Sequence, residues 1–342
     1  MRLALSLAIL LATISISKSQ QLETEYFRGK TVSIVVGSAV GGGYDAYARL
    51  ISRHLGKHIP GSPAVVVTNM PGAGGNIAAS YVYNSGPKDG TTIGAFQSNV
   101  ILQPLLSSNP VKHDPSKFYY LGSANDDVYI CVAKREAASS FTDAFSKKII
   151  MGAATSASTS EYPQLLNTVL GTKFDIVNGY PGSKEISMAI DNAEAQGVCG
   201  VAWPAISVTQ PSWFGQDAVS GDVRVIVQMH DRGHPALNKL NVPLAASFAK
   251  TDDQQRVLDF YFSQSRFGRP YLVSPDVPES RASLLRDAFK ATMEDPELRR
   301  EAARLNLDVD FLDGQTVQES VRKSFASPPE IISQVKSILG VR

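Results

Sequence analysis

Short apolar runs recur along this chain, and between them the spacing of apolar residues becomes helical. Val32, Ile34, Val35 and Val36 form a nearly continuous run of the kind buried on both faces of a parallel sheet. Ala48, Leu50, Ile51 and Leu55 then make an inward helical stripe, and Asp45 stands where it can cap that helix. Further strand-like runs follow over 64–69 and 91–96, the latter entered through the turn Pro87-Lys88-Asp89-Gly90. From 31 to 96 the order is strand, loop, helix, strand, loop, helix, strand. Such βαβ units wind right-handed and leave the loops after the strands on one sheet edge, where open α/β sheets bind ligands.

A second α/β stretch begins near Asp127, with strands expected over 128–133, 148–152, 174–178, 197–203 and 223–229 and helices over 162–170 and 184–195. Beyond about residue 248 the pattern is mostly helical. Leu284, Leu285, Ala288, Phe289 and Met293 form one face, Asp295-Pro296 starts the next helix, and Pro329 opens a last one ending near Leu339. Between them 307–312 alternates like an edge strand, and 271–274 reads as a strand returning to the first sheet. The expected division is a first lobe of 20–126 and 248–342 and a second of 127–247, since about 320 residues exceed what one core holds.

Residues 1–19 change the picture of where the chain works. Arg2, the apolar stretch 3–16 and the small-residue flank Ser17-Lys18-Ser19 read as a secretory signal peptide cut before Gln20. Its apolar core falls short of the roughly 17–25 residues a membrane span needs. No cysteine lies near the cut to carry a lipid, so a soluble exported protein is expected. Without the leader 31 bases face 32 acids, which gives nothing to attract nucleic acid. Cys131 and Cys199 each lie inside an apolar run; export permits a disulfide, yet two buried free thiols are expected from their placement.

Candidate chemistry concentrates in two glycine-rich loops. Gly41-Gly42-Gly43-Tyr44-Asp45 follows the first strand and Pro71-Gly72-Ala73-Gly74-Gly75-Asn76 the second, each ahead of a helix start. Glycine lets a backbone approach a ligand, and a helix N-terminus offers N–H groups and partial positive charge, so loops 41–44 and 72–76 suit a carboxylate. Ser38 and the trio Gln97, Ser98 and Asn99 add side-chain donors and acceptors to the same edge. Nucleotide chemistry is excluded by the failure of Gly-x-Gly-x-x-Gly and the lack of a phosphate-binding Gly-x4-Gly-Lys-Ser/Thr motif. The pairs His54/His58 and His230/His234 lack a third-ligand signature and are expected to be solvated, and Asp126-Asp127 reads as a loop. With no Gly-x-Ser-x-Gly elbow either, neither a metal, a cofactor nor an enzyme is expected.

Taken in order, Val35-Val36 before Gly41-Gly42-Gly43, then Asp45, Ala48 and Arg49; Asn69 with Pro71-Gly72-Ala73-Gly74-Gly75-Asn76; and Asp89-Gly90-Thr91-Thr92 resemble the substrate-binding proteins of tripartite tricarboxylate transporters, the TctC or Bug family. Asp114-Pro115 before Phe118, Tyr180-Pro181-Gly182-Ser183 with Gly197, Val242-Pro243, and Leu285-Arg286-Asp287-Ala288-Phe289 with Asp295-Pro296 extend the resemblance across the chain. It implies a two-lobed type II, Venus-flytrap periplasmic binding protein, each lobe a doubly wound sheet with flanking helices. Such a protein is a monomer that holds a small carboxylate between its lobes and delivers it to a membrane permease.

On that reading the second lobe contributes Thr155, Ser156, Ser158 and Thr159 and the turn with Tyr180, Gly182 and Ser183, while Trp203 either lines the cleft or belongs to the core. Family members carry proline where this chain has Val40 and often threonine where it has Tyr44, which favours a mono- or dicarboxylate, an aromatic one included, over citrate. A sensor presenting its ligand to a membrane histidine kinase is the alternative, and an exported enzyme the third.

Overall fold

The computed structural model describes residues 25–41, 43–107, 111–155 and 157–341. The expected leader over 1–19, with Gly42 and Ser156, lies outside the described residues. Eleven strands are present among them: β1 (Thr31–Val36), β2 (Ala64–Asn69), β3 (Thr92–Ala95), β4 (Tyr119–Ser123), β5 (Tyr129–Lys134), β6 (Ile149–Ala153), β7 (Phe174–Asn178), β8 (Gly197–Ala202), β9 (Val223–Met229), β10 (Pro270–Val273) and β11 (Leu312–Asp313). Among the described residues no helix is long and apolar enough to cross a membrane.

The chain forms two compact units, the first from 25–101, 111–125 and 269–321 and the second from 102–107, 126–268 and 322–341. In the first, the sheet order is β11-β4-β10-β3-β1-β2. β1 lies between β2 and β3, parallel to both, and β10 runs antiparallel between β3 and β4. The helix Gly43–Leu55 buries its stripe of Ala48, Leu50, Ile51 and Leu55 in a core shared with Leu285 and Phe289 of the helix Glu279–Glu294. The edge strand expected over 307–312 shortens to β11, two residues paired with β4.

In the second unit the order is β7-β6-β8-β5-β9. β6 is parallel to β7 and β8, whereas β5 runs antiparallel to β8 and β9. Segments 248–268 and 322–341, assigned from sequence to the first lobe, belong to this unit instead. The reason is apolar: Val257, Leu258 and Phe262 of the helix Asp252–Phe262 and Ile331 and Val335 of the helix Pro329–Ile338 share a core with Tyr162, Leu165 and Leu166 of the helix Ser158–Leu170. The free-thiol expectation is also overturned. Antiparallel pairing of β5 with β8 sets Cys131 opposite Cys199, and the two are joined in a disulfide.

Candidate functional site

Strand register creates the site. Val36 pairs with Asn69 on one side and with Ala95 on the other, so β1, β2 and β3 end level and their following loops leave one edge together. A buried carboxylate then ties two of those loops. Asp45, in the first turn of the helix Gly43–Leu55, accepts the Gly41 N–H at 2.8 Å and the Arg49 Nε at 2.9 Å on Oδ2. Its Oδ1 accepts the Asn69 side-chain amide at 2.9 Å, and the same nitrogen donates to the Ser38 carbonyl at 3.0 Å. The hydrogen bond from Arg49 outweighs burial and holds the Asp45 carboxyl down at about 2. This network commits the Gly41 N–H internally, which takes it out of the set of ligand donors.

The loop after β2 is built from four successive residues with positive φ, Gly72 (129°), Ala73 (47°), Gly74 (62°) and Gly75 (99°). Gly75 donates to the Gly72 carbonyl at 3.0 Å, and the Asn76 side-chain amide donates to the Ala73 carbonyl at 2.7 Å. Glycine gives close clearance at two points. A Cβ on Gly75 would stand 2.3 Å from Gln97 Oε1, and one on Gly37 would stand 2.8 Å from the same oxygen and 3.0 Å from Gly75 Cα. Gly37, which sequence reasoning did not single out, is therefore the point where all three loops meet. Gln97 donates from Nε2 to the Gly37 carbonyl at 3.2 Å, while its Oε1 and the Ser38 Oγ are buried with no hydrogen-bond partner among the described residues. Buried polar atoms left so are uncommon and suit a site that takes a polar ligand.

Tyr44 closes one side. Its phenolic oxygen accepts the Ser98 N–H at 3.2 Å, which joins the β1 and β3 loops. Across its ring lies Arg269, whose guanidinium carbon is 4.5 Å from the Tyr44 centroid and 4.7 Å from that of Tyr47. Sequence reasoning missed Arg269. It precedes Pro270, the first residue of β10, and because β10 is antiparallel to β3 its beginning lies at the edge where β3 ends. A cation immediately before a returning strand was the available signal. Gly72 and Asn99 are exposed, and a Cβ on Gly74 would meet only the Asn99 Nδ2, at 3.5 Å.

In the second unit Ala153 pairs with Asn178, so the loops after β6 and β7 likewise leave one edge. Thr155 and Ser183 are exposed, Ser158, Tyr180 and Gly182 half-buried. Tyr180 N–H donates to the Ala153 carbonyl at 3.3 Å, which holds the two loops together. Thr159 is buried, and its hydroxyl accepts the Ala154 N–H at 2.9 Å, a loop-shaping bond. Trp203 opens the helix Trp203–Thr209 half-buried, its ring edge-on to Phe214 at 5.2 Å.

No protein-family model matches the sequence. A TctC solute-binding protein from Polaromonas, solved without ligand, superposes with a TM-score of 0.68 at 16% identity, covering 91% of this chain and 98% of that one. The fold is that of the TctC solute-binding proteins. Rpa4515 of R. palustris, solved with adipate, has the same TctC-like fold at a TM-score of 0.62 and 19% identity, over 90% of this chain and 98% of its own. In sequence, a UPF0065 protein of Bordetella bronchiseptica is 31% identical over 105 residues; the match spans 31% of this chain and 30% of that protein.

Within this TctC fold the histidines are not solvated as expected. His54 Nε2 contacts Glu301 Oε2 at 2.6 Å and His58 Nε2 contacts Asp295 Oδ2 at 3.3 Å, pinning one helix to the next. His54, Asp295 and Glu297 are near enough to share a cation, but Lys57 Nζ sits 2.6 Å from each carboxylate and supplies that charge itself. His230 is fully buried and Asp126 nearly so, where a solvated side chain and a loop were expected. The main-chain N–H groups of Arg232 and Gly233 converge on His230 Nδ1 at 3.1 and 3.0 Å, which puts the proton on Nε2, 2.8 Å from Asp126 Oδ1. Asp231 Oδ1 also stands 3.0 Å from Nδ1, but as an acceptor it competes with two donors already aimed at that lone pair. Packing of β9 against β5 brings His230 to Asp126 across 104 residues, a pairing the sequence does not advertise.

Proposed function

We propose that this chain is an exported solute-binding protein that captures a small organic carboxylate and delivers it, as a monomer, to a tripartite tricarboxylate-type membrane transporter. The observation that carries the reading is the convergence of the loops after β1, β2 and β3 on one sheet edge. There the helix Gly43–Leu55 begins, and Ser38 Oγ and Gln97 Oε1 are buried with no hydrogen-bond partner among the described residues. Backbone amides of 43–44 and 72–74 grip the carboxylate, those of Gly75 and Asn76 being spent on the loop itself, the Ser38 hydroxyl donates to it, and Gln97 Oε1 accepts from a ligand hydroxyl. Ser98 and Asn99 shape the same rim. On the second unit's own sheet edge, Thr155, Ser158, Tyr180, Gly182 and Ser183 are offered as polar ligand contacts, with Thr159 and Trp203 behind them. The adipate held by Rpa4515 supports a dicarboxylate within range.

The test is a melting-temperature screen of the purified mature protein against acetate, benzoate, succinate, adipate and citrate, because any ligand that prefers the folded state raises the melt. At least one acid should raise it in a dose-dependent way. A melt unmoved by all five but raised by a nucleotide or a peptide would overturn the reading. Transport is tested by tracing uptake of the bound acid in cells lacking this protein.

A further inference from the structure

We propose that His54, His58, Asp295 and Glu297 form an exchangeable zinc site, in which the metal takes the place of the Lys57 ammonium and ties the helix Gly43–Leu55 to the helix Pro296–Arg304. The site lies wholly within the first unit and does not depend on what the loops at the sheet edge bind.

Three observations carry it. First, the right ligand types converge. His54 and His58 stand four residues apart, at the end of the helix Gly43–Leu55 and in the turn Gly56–His58 that continues it. Asp295 caps the helix Pro296–Arg304 and Glu297 lies in its first turn. One ligand atom from each of His54, Asp295 and Glu297 lies within 4.8 Å of the other two. His58 Nε2 adds a fourth, 3.3 Å from Asp295 Oδ2, and His54 Nδ1 is 3.8 Å from the same oxygen. Zinc bonds of about 2.0–2.2 Å at the tetrahedral angle set ligand atoms about 3.3–3.6 Å apart, so small side-chain shifts complete the shell.

Second, the ligands are aimed by partners outside the shell. Asp295 Oδ1 accepts the Glu297 N–H at 2.8 Å, which leaves Oδ2 turned to the histidines. Glu301 Oε2 holds His54 Nε2 at 2.6 Å, and Arg53 in turn holds Glu301 Oε1 at 2.7 Å. A carboxylate accepting from Nε2 puts the lone pair of the neutral ring on Nδ1, the nitrogen nearer the shell. That pairing is the usual support of a metal-bound imidazole.

Third, a cation already stands there. Lys57 Nζ lies 2.6 Å from both Asp295 Oδ2 and Glu297 Oε2. Its side chain is 42% exposed, which lets it turn out into solvent, whereas His54 and Asp295 are buried. The two carboxylates leave one ammonium with surplus negative charge and balance a dication. Two imidazoles in the set favour zinc over magnesium or calcium, which prefer oxygen throughout.

The experiment titrates untagged, chelator-stripped mature protein with zinc in competition with a chromophoric chelator, and follows the melting temperature in parallel. Wild type should take up one zinc per chain and melt several degrees higher, as linkage requires, while magnesium leaves the melt unmoved. Lys57→Met removes the competing ammonium and should bind zinc at least tenfold more tightly, a gain that a purely structural lysine bridge does not give. His54→Ala/His58→Ala should bind it at least tenfold more weakly. No zinc uptake by wild type, an equal response to magnesium, or an affinity that neither variant changes would overturn the proposal. Should the double-histidine variant fail to fold, Lys57→Met decides alone, and unchanged zinc affinity there sinks the site.

Discussion

The side-chain amide of Asn69 donates to Asp45 at 2.9 Å, and this one bond joins the end of β2 to the first turn of the helix that follows β1. Removing the carboxylate in Asp45→Ala takes the acceptor from the Gly41 N–H and one partner each from the Asn69 amide, which keeps the Ser38 carbonyl, and the Arg49 guanidinium, which keeps Asn69 Oδ1. A loss of about 1–3 kcal/mol is expected, the usual cost of unsatisfied buried partners, and acid binding should fall with it. Chemical denaturation with and without ligand checks both.

The same residue gives the protein an acid limit. Its folded pKa of about 2 lies below the unfolded value near 3.9, so its contribution is complete above the unfolded value and is lost as pH falls through the folded one. Wild-type stability should therefore decline between about pH 4 and pH 2 more steeply than that of Asp45→Asn, which has no proton to take up there. Parallel urea titrations across this range would reveal the difference; identical slopes would refute it.

Two neighbouring glycines should respond differently. Gly75→Ala drives a Cβ to within 2.3 Å of Gln97 Oε1 at a φ of 99°, and a cost of about 2–4 kcal/mol with loss of binding is expected. Gly74→Ala meets only the Asn99 Nδ2 at 3.5 Å and should cost about 1 kcal/mol, the ordinary penalty of a left-handed alanine. Melting curves of the two variants, side by side, decide it.

Joining positions 68 residues apart, the Cys131–Cys199 bridge restrains the unfolded chain. The double variant Cys131→Ala/Cys199→Ala should lose about 2–4 kcal/mol while keeping its far-ultraviolet spectrum. A melt as high as that of the oxidised wild type would show that the bridge adds no stability.

Asp126 anchors the second unit's buried ion cluster. Burial alone would raise its carboxyl, but hydrogen bonds from His230 and Arg232 prevail and hold it below the usual range. Asp126→Ala leaves His230 Nε2 without its acceptor in a fully buried position, so a loss of about 2–4 kcal/mol is expected. Asp126→Asn, which keeps an acceptor oxygen, should recover part of it in the same unfolding assay.

Much of the fold was legible because it is local. The run Val32 to Val36 and the stripe from Ala48 to Leu55 each state their period within a few residues, and β1, β7 and β9 fall where the pattern places them. The glycine loops were legible for the same reason. What escaped depends on pairing across long stretches of chain: β4 with its mixed Tyr-Tyr-Leu-Gly-Ser sequence, the register that sets Cys131 opposite Cys199, and the packing of 252–262 on 158–170. His230 and Arg269 escaped likewise, since neither has its decisive neighbour nearby in sequence.

Running β10 against its neighbours has a broader effect on how the rim is encoded. Residues specified late in the gene arrive beside residues specified early, without any long excursion of backbone to carry them there. Arg269 and the glycine loops can then change by separate mutations while the weave of the sheet stays as it is.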